Sequence, residues 1–221
     1  MRTTRHHYIA NGTRDGREVR ARDAAGRDGE DDYANKATRT RRLTTLRRRP
    51  QRACATLVRE LIRNDVATCV FADDRMAMDL VMELVREAAR DANVDAFAPH
   101  DDMATFARER DYNDWLARSY GDDRATPMLV TTDAFSSPTP ARTRCLVHFD
   151  FPRDASQYRA RMAGAFSCDD DDACGGELHV ISLVVGAGEA ARLRSTADAL
   201  RCRVDEFDIE TLAEIRTARA P

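Results

Sequence analysis

The sequence predicts an α/β fold, a mostly parallel central sheet flanked by helices, on three observations. Short apolar runs bounded by polar residues recur along the chain, as in strands buried on both faces. Stretches with apolar residues at helical spacing separate them. Pro, Ser, Asp and Asn mark the joints, and strands that alternate with helices in this way call for a parallel sheet covered on both sides.

The elements follow in order. Residues 1–50 mix Arg, Asp, Gly and Thr with few large apolar side chains, too few to offset the entropy of ordering, so they are expected to form a disordered basic arm. From Arg52 the pattern changes, and residues 51–215 are expected to form one domain. Leu57, Leu61 and Ile62 recur at helical spacing until Asn64 and Asp65 stop the helix. "VATCVFA" (66–72) is the first strand, followed by a helix through Met78, Leu80, Val81, Leu84 and Val85. "VDAFAPH" (94–100) is the second strand, and the next helix carries Phe106, Tyr112, Trp115 and Leu116 as packing residues. Strands at 127–131 and 144–149 flank a Pro/Ser/Thr-rich loop at 136–143. A helix over Ser156–Ala165, a strand at 177–185, a helix from Gly188 past Leu193 and Leu200, and an extended piece at 203–209 complete the chain.

Charge is divided unevenly. Residues 1–52 carry 15 basic and 7 acidic side chains, so a segment of net charge +8 precedes a body of −11. A basic arm favours polyanions such as nucleic acid or an anionic membrane, although Lys36 is the only lysine and an arginine-rich genome composition would leave the same trace. An arginine-rich transit peptide is a third reading, weakened by Glu30, Asp31 and Asp32. No apolar run reaches the length of a membrane span, so no membrane partner is expected. The six cysteines form no C-x-x-C pair and have no histidine at ligand spacing, which points to reduced thiols in an intracellular setting, nuclear, cytoplasmic or organellar, and to no metal site. Cys168 and Cys174 flank the acidic run Asp169 to Asp172, read as a solvated loop.

In a parallel sheet, function gathers at the carboxyl ends of the strands. The loops there read "ADD", "HDDM" and "TTDAFSSP". Neither G-x-x-x-x-G-K-[ST] nor G-x-G-x-x-G occurs, so the chain supplies no phosphate cradle of its own. His100 and His148 are read as satisfying local hydrogen bonds rather than as acid–base groups.

The order of these pieces resembles the C-terminal half of DEAD-box ATP-dependent RNA helicases across residues 52–210. "CVFADD" (69–74) is similar to the family strand that usually ends in Thr or Ser. "PHDDM" (99–103) with Arg108 is similar to the His-Gly-Asp segment with its Gln-x-x-Arg. "LVTTDAF" (129–135) resembles the strand leading into Thr-Asp, and "VHFDFPRDASQYRARMAGAF" (147–166) resembles the Asp-x-Pro segment and the Tyr before the arginine-rich motif. The resemblance implies a three-layer RecA-like fold of the P-loop-NTPase type. It implies RNA backbone contacts through Arg108 and Thr132, with Arg110 competing for the first role, and leaves Arg161 as the residual arginine of the last motif.

The departures weigh on activity. Ser137, Pro138, Thr139 and Pro140 stand where the family has Arg-Gly-x-Asp, Ala160 replaces a histidine, and Gly164 and Ser167 occupy the arginine-finger positions. An arginine finger is worth about 10³–10⁵ in rate, so its loss predicts no useful ATP hydrolysis, with ATP bound only if a missing first domain is supplied. Asp101, where the family has Gly, repels phosphate. The resemblance therefore implies a pseudoenzyme that binds RNA weakly or docks a protein partner. The alternatives are a fragment of a complete helicase and a protein-interaction scaffold with no nucleic-acid role.

Overall fold

The computed structural model describes residues 4–10, 51–120, 125–134, 143–163 and 178–206. Among these residues seven strands form one parallel sheet in the order β3-β4-β2-β5-β6-β1-β7. In chain order they are β1 (Thr4–Ala10), β2 (Thr68–Ala72), β3 (Val94–Phe97), β4 (Thr126–Thr132), β5 (Cys145–His148), β6 (Leu178–Val184) and β7 (Val204–Glu206). The helices are α1 (residues 51–63), α2 (Arg75–Ala88), α3 (Thr105–Tyr120), α4 (Ala155–Ala163) and α5 (Gly186–Leu200).

The period of two in each strand divides the core into two layers. On β2, Val70 and Ala72 face one side and Cys69 and Phe71 the other. The first side packs Leu57, Leu61, Met78, Val81 and Val85 of α1 and α2 against the sheet. The second packs Trp115 of α3, Tyr158 of α4 and Leu193 of α5. Every residue of β2, β4, β5 and β6 is buried, which is why these strands read as continuous apolar runs rather than as alternations.

Local signals end the helices where the sequence places them. α1 closes on Asp65, whose φ of 53° is the left-handed conformation that Asp tolerates. Asp74 caps α2 by accepting the Ala77 N–H at 2.8 Å, and Asp154 caps α4 by accepting the Gln157 N–H at 2.8 Å. β6 turns into α5 through Gly186, whose φ of 80° is disfavoured for any residue with a Cβ.

Two expectations need correction. Residues 4–10, assigned to the disordered arm, form β1, which pairs with β6 from Thr4↔Leu178 to Ala10↔Val184 and with β7 on its other side. "YIA" is too short an apolar run to announce a strand, and only the neighbouring strands supply its hydrogen-bond partners. Residues 11–50 lie outside the described residues. Phe106, expected to pack, is 72% exposed, because it sits nine residues before the buried Trp115, two and a half turns away on the opposite side of α3.

Candidate functional site at the carboxyl ends of the strands

β2, β4, β5 and β6 all point their carboxyl ends to one face, bringing Asp73 and Asp74, Asp133, Asp150, and Val185 into one neighbourhood. At its centre lies Arg161, near the end of α4, with a fully buried side chain. Nε donates to Asp133 Oδ1 at 2.8 Å and Nη2 to Asp133 Oδ2 at 2.6 Å, a two-point grip on one carboxylate. Nη2 also donates to Asp73 Oδ1 at 3.1 Å, and Nη1 to the Asp150 carbonyl at 2.9 Å. The guanidinium carbon stands 5.1 Å from the centre of the Phe71 ring, within cation–π range. Gln157 Nε2 holds the same Asp133 carboxylate at 2.6 Å. One arginine thus ties together the ends of three strands, with its charge spent inside the protein.

Beside this knot a cavity of about 410 Å³ opens, lined by the carboxylates of Asp73, Asp74, Asp150 and Glu189 and by apolar side chains that include Leu80 and Phe149. Asp150 Oδ2 accepts the Asp73 N–H at 2.9 Å, and Glu189 Oε2 accepts the Val185 N–H at 2.6 Å. Burial raises both carboxyls above their ordinary values; those backbone hydrogen bonds oppose the shift, as do Arg161 for Asp150 and Arg192 for Glu189, and the neighbouring carboxylates add to it.

A second polar chain crosses the core. His148 Nδ1 lies 3.0 Å from Ser182 Oγ, its ring meets Tyr158 edge-on at 4.8 Å, and the Tyr158 hydroxyl lies 2.9 Å from His6 Nδ1. Burial, and then the positive fields of Arg161 and His6, hold His148 well below its ordinary 6.5, so the ring is neutral at pH 7. The expectation that His148 and His100 satisfy local hydrogen bonds is met only in part: His148 Nδ1 finds Ser182 on the neighbouring strand, while His148 Nε2 and His100 Nδ1 have no hydrogen-bond partner among the described residues. The thiols of Cys54, Cys69 and Cys145 are buried, and burial, reinforced by Asp150, pushes Cys54 up to about 12.

The residues expected to touch RNA occupy one end of this face, since β3 and β4 are neighbours. Thr132 closes β4 but is only 4% exposed, and its hydroxyl has no hydrogen-bond partner among the described residues. Arg108, in the first turn of α3, is half-buried and reaches Thr105 Oγ1 at 3.4 Å. Arg110 pairs with Asp111 at 3.2 Å. Between the strand ends stand the exposed Asp101 and Asp102, which with His100 bring one potential ligand atom each to within 4.8 Å of one another. The sequence reading, directed at cysteines, passed over that grouping. Gly164, Ser167, residues 137–140 and the 169–172 run lie outside the described residues.

What the sequence reading missed is the set of partners that engage Arg161. The signal was present: "ADD", "TTD" and "HFD" each place an aspartate just past a strand end.

No model of a known protein family matches the chain, and no curated protein matches it by sequence. Its structure is similar to the C-terminal RecA-like domain of DEAD-box proteins. Yeast (S. cerevisiae) Dbp5 bound to RNA and ADP BeF3 superposes with a TM-score of 0.57 at 14% identity, covering 76% of this chain and 41% of that one. The isolated C-terminal domain of the DEAD-box protein Dbp5 gives 0.54 at 15% identity, over 69% of this chain and 82% of that one. The E. coli DEAD-box protein SrmB, bound to regulator of ribonuclease activity A, gives 0.54 at 21% identity, over 72% and 86%. The chain therefore spans less than half of the RNA-bound Dbp5 chain, and at these identities the likeness is one of fold.

Proposed function

We propose that this chain is a helicase-type C-terminal domain that does not hydrolyse ATP by itself and serves as a docking module for a protein partner, with weak contacts to RNA backbone. The observation that carries the reading is the state of Arg161. A guanidinium gripped at two points by Asp133, bonded to Asp73 and to the Asp150 carbonyl and covered by Phe71 has at least four of its five N–H donors committed inside the protein, which turns it away from a transferring phosphoryl group. The surrounding face is anionic, and anions repel phosphate. Among the similar structures, SrmB is bound to a protein regulator, which accords with docking.

A second reading has one specific observation in its favour. Because the chain spans 41% of the RNA- and ADP-bound Dbp5 chain, it fits as one half of a two-domain helicase whose other half brings the nucleotide. Finding an upstream Walker motif in the full-length transcript would support that reading.

Steady-state ATP hydrolysis with and without single-stranded RNA tests the first. Turnover at the protein-free background is expected in both cases, together with RNA retention on filters that fades as salt rises. RNA-stimulated turnover overturns the reading.

A further inference from the structure

The cavity beside the Arg161 knot combines features suited to one kind of guest. Its carboxylates do not converge as metal ligands do: among the described residues, the only grouping of three or more ligand atoms within 4.8 Å is the one at His100, on another loop. A volume of about 410 Å³ is also far more than a bare ion fills. The walls are half apolar, from Leu80, Phe149 and Val185, and Met76, which also lines the cavity, is 72% exposed. The same structure shows how this chemistry is satisfied a few ångströms away. Arg161 lies between Asp73 and Asp133 with its guanidinium over Phe71, and Asp73 also lines the cavity, where Asp150, Glu189 and Phe149 repeat the pattern of carboxylate and aromatic ring.

We infer that the cavity receives an arginine side chain from a basic, apolar-flanked segment of a partner protein. The guanidinium sits among Asp73, Asp150 and Glu189, its stem lies along Leu80 and Phe149, and a neighbouring apolar residue of the partner covers Met76. Asp150 and Glu189 are already oriented by the Asp73 and Val185 N–H groups, and Glu189 Oε1 is further held by the exposed Arg192 at 3.4 Å, a surface pair that a better-buried guanidinium would displace, so little ordering remains to be done on binding. Their mutual repulsion in a desolvated setting falls when a cation arrives. A planar guanidinium suits carboxylates and an aromatic ring together better than an ammonium does. The inference rests on the docking reading above and names the chemistry of the partner.

The test uses the full chain and a fluorescein-labelled Gly/Ser peptide carrying one Leu-Arg-Leu segment, followed by fluorescence anisotropy near physiological ionic strength. A peptide with citrulline, the neutral isostere, in place of arginine is the comparison, expected to bind about tenfold more weakly or worse. The double variant Asp150→Asn/Glu189→Gln keeps acceptor oxygens for both backbone N–H groups and is expected to bind the arginine peptide about tenfold more weakly, with a urea midpoint no lower than that of the parent chain. Glu83→Gln/Glu87→Gln removes the same charge from exposed positions on the far half of α2 and is expected to leave binding within about twofold. Equal losses in the two double variants, equal binding of the citrulline peptide, or no binding of the arginine peptide would each overturn the inference. ATP turnover measured on the same samples sinks instead the docking reading on which it rests.

Discussion

Replacing Arg161 with Met keeps most of the stem volume and removes every donor. Among the described residues the guanidinium makes hydrogen bonds at 2.8, 2.6 and 3.1 Å to carboxylate oxygens and at 2.9 Å to a backbone carbonyl. Removing one member of a buried ion pair costs about 3–5 kcal/mol, mostly because the other charge is stranded. Here the stranded carboxylates can be rehydrated, since the side chains of Asp133 and Asp73 are 28% and 48% exposed, which places the cost near the lower end, about 3 kcal/mol. Trp115 is the only tryptophan and is fully buried, so its fluorescence reports urea unfolding directly. At a slope of roughly 3 kcal/mol per molar urea, the midpoint falls by about 1 M. Adding Asp133→Asn to Arg161→Met removes a stranded charge and is expected to recover about 1 kcal/mol. A loss below about 1 kcal/mol for Arg161→Met, or strict additivity in the double variant, would refute the view that this arginine braces three strand ends.

His148 predicts an acid-sensitive fold. Its native pKa lies below the ordinary 6.5, so as pH falls below that value the unfolded chain binds the proton and the folded one does not. Its contribution is therefore complete above pH 6.5 and is lost as pH falls toward the native pKa, by at most about 1.4 kcal/mol per pH unit. His148→Gln, which retains a partner for Ser182, should flatten the urea midpoint between pH 7 and 5; an unchanged slope would contradict the assignment. Asp150 acts in the opposite sense: its raised pKa contributes below its ordinary 3.8 and is lost as pH rises through the native value. Ile9→Ala tests β1. Ile9 is 8% exposed, and truncating it should cost about 2 kcal/mol and lower the melting temperature by roughly 6 °C in circular dichroism; no change would mean that the strand does not pack in solution.

The fold class followed from the sequence because burial on both faces leaves an uninterrupted apolar run, and each run at 66–72, 127–131, 144–149 and 177–185 became a strand within two residues of its expected limits. Helix stops at Asn64 and Asp65, and helix starts after Asp74 and Asp154, were equally local, carried by side chains that bond the backbone a few residues away. The special position of Arg161 was legible only through a family resemblance, since nothing in its neighbours forecasts burial.

Three features belonged to the tertiary structure alone. β1 exists because β6 and β7 offer it hydrogen-bond partners more than 160 residues along the chain, and seven modest residues carry no sign of that offer. Phe106 faces outward because the sheet selects one side of α3, and the two aromatic phases on that helix compete until packing decides between them. The knot of Arg161 with Asp73, Asp133 and the Asp150 carbonyl joins residues 11 to 88 positions apart. Sequence determines which residues stand at strand ends; strand order, a property of the whole sheet, decides which ends are neighbours and so which charges are neutralised.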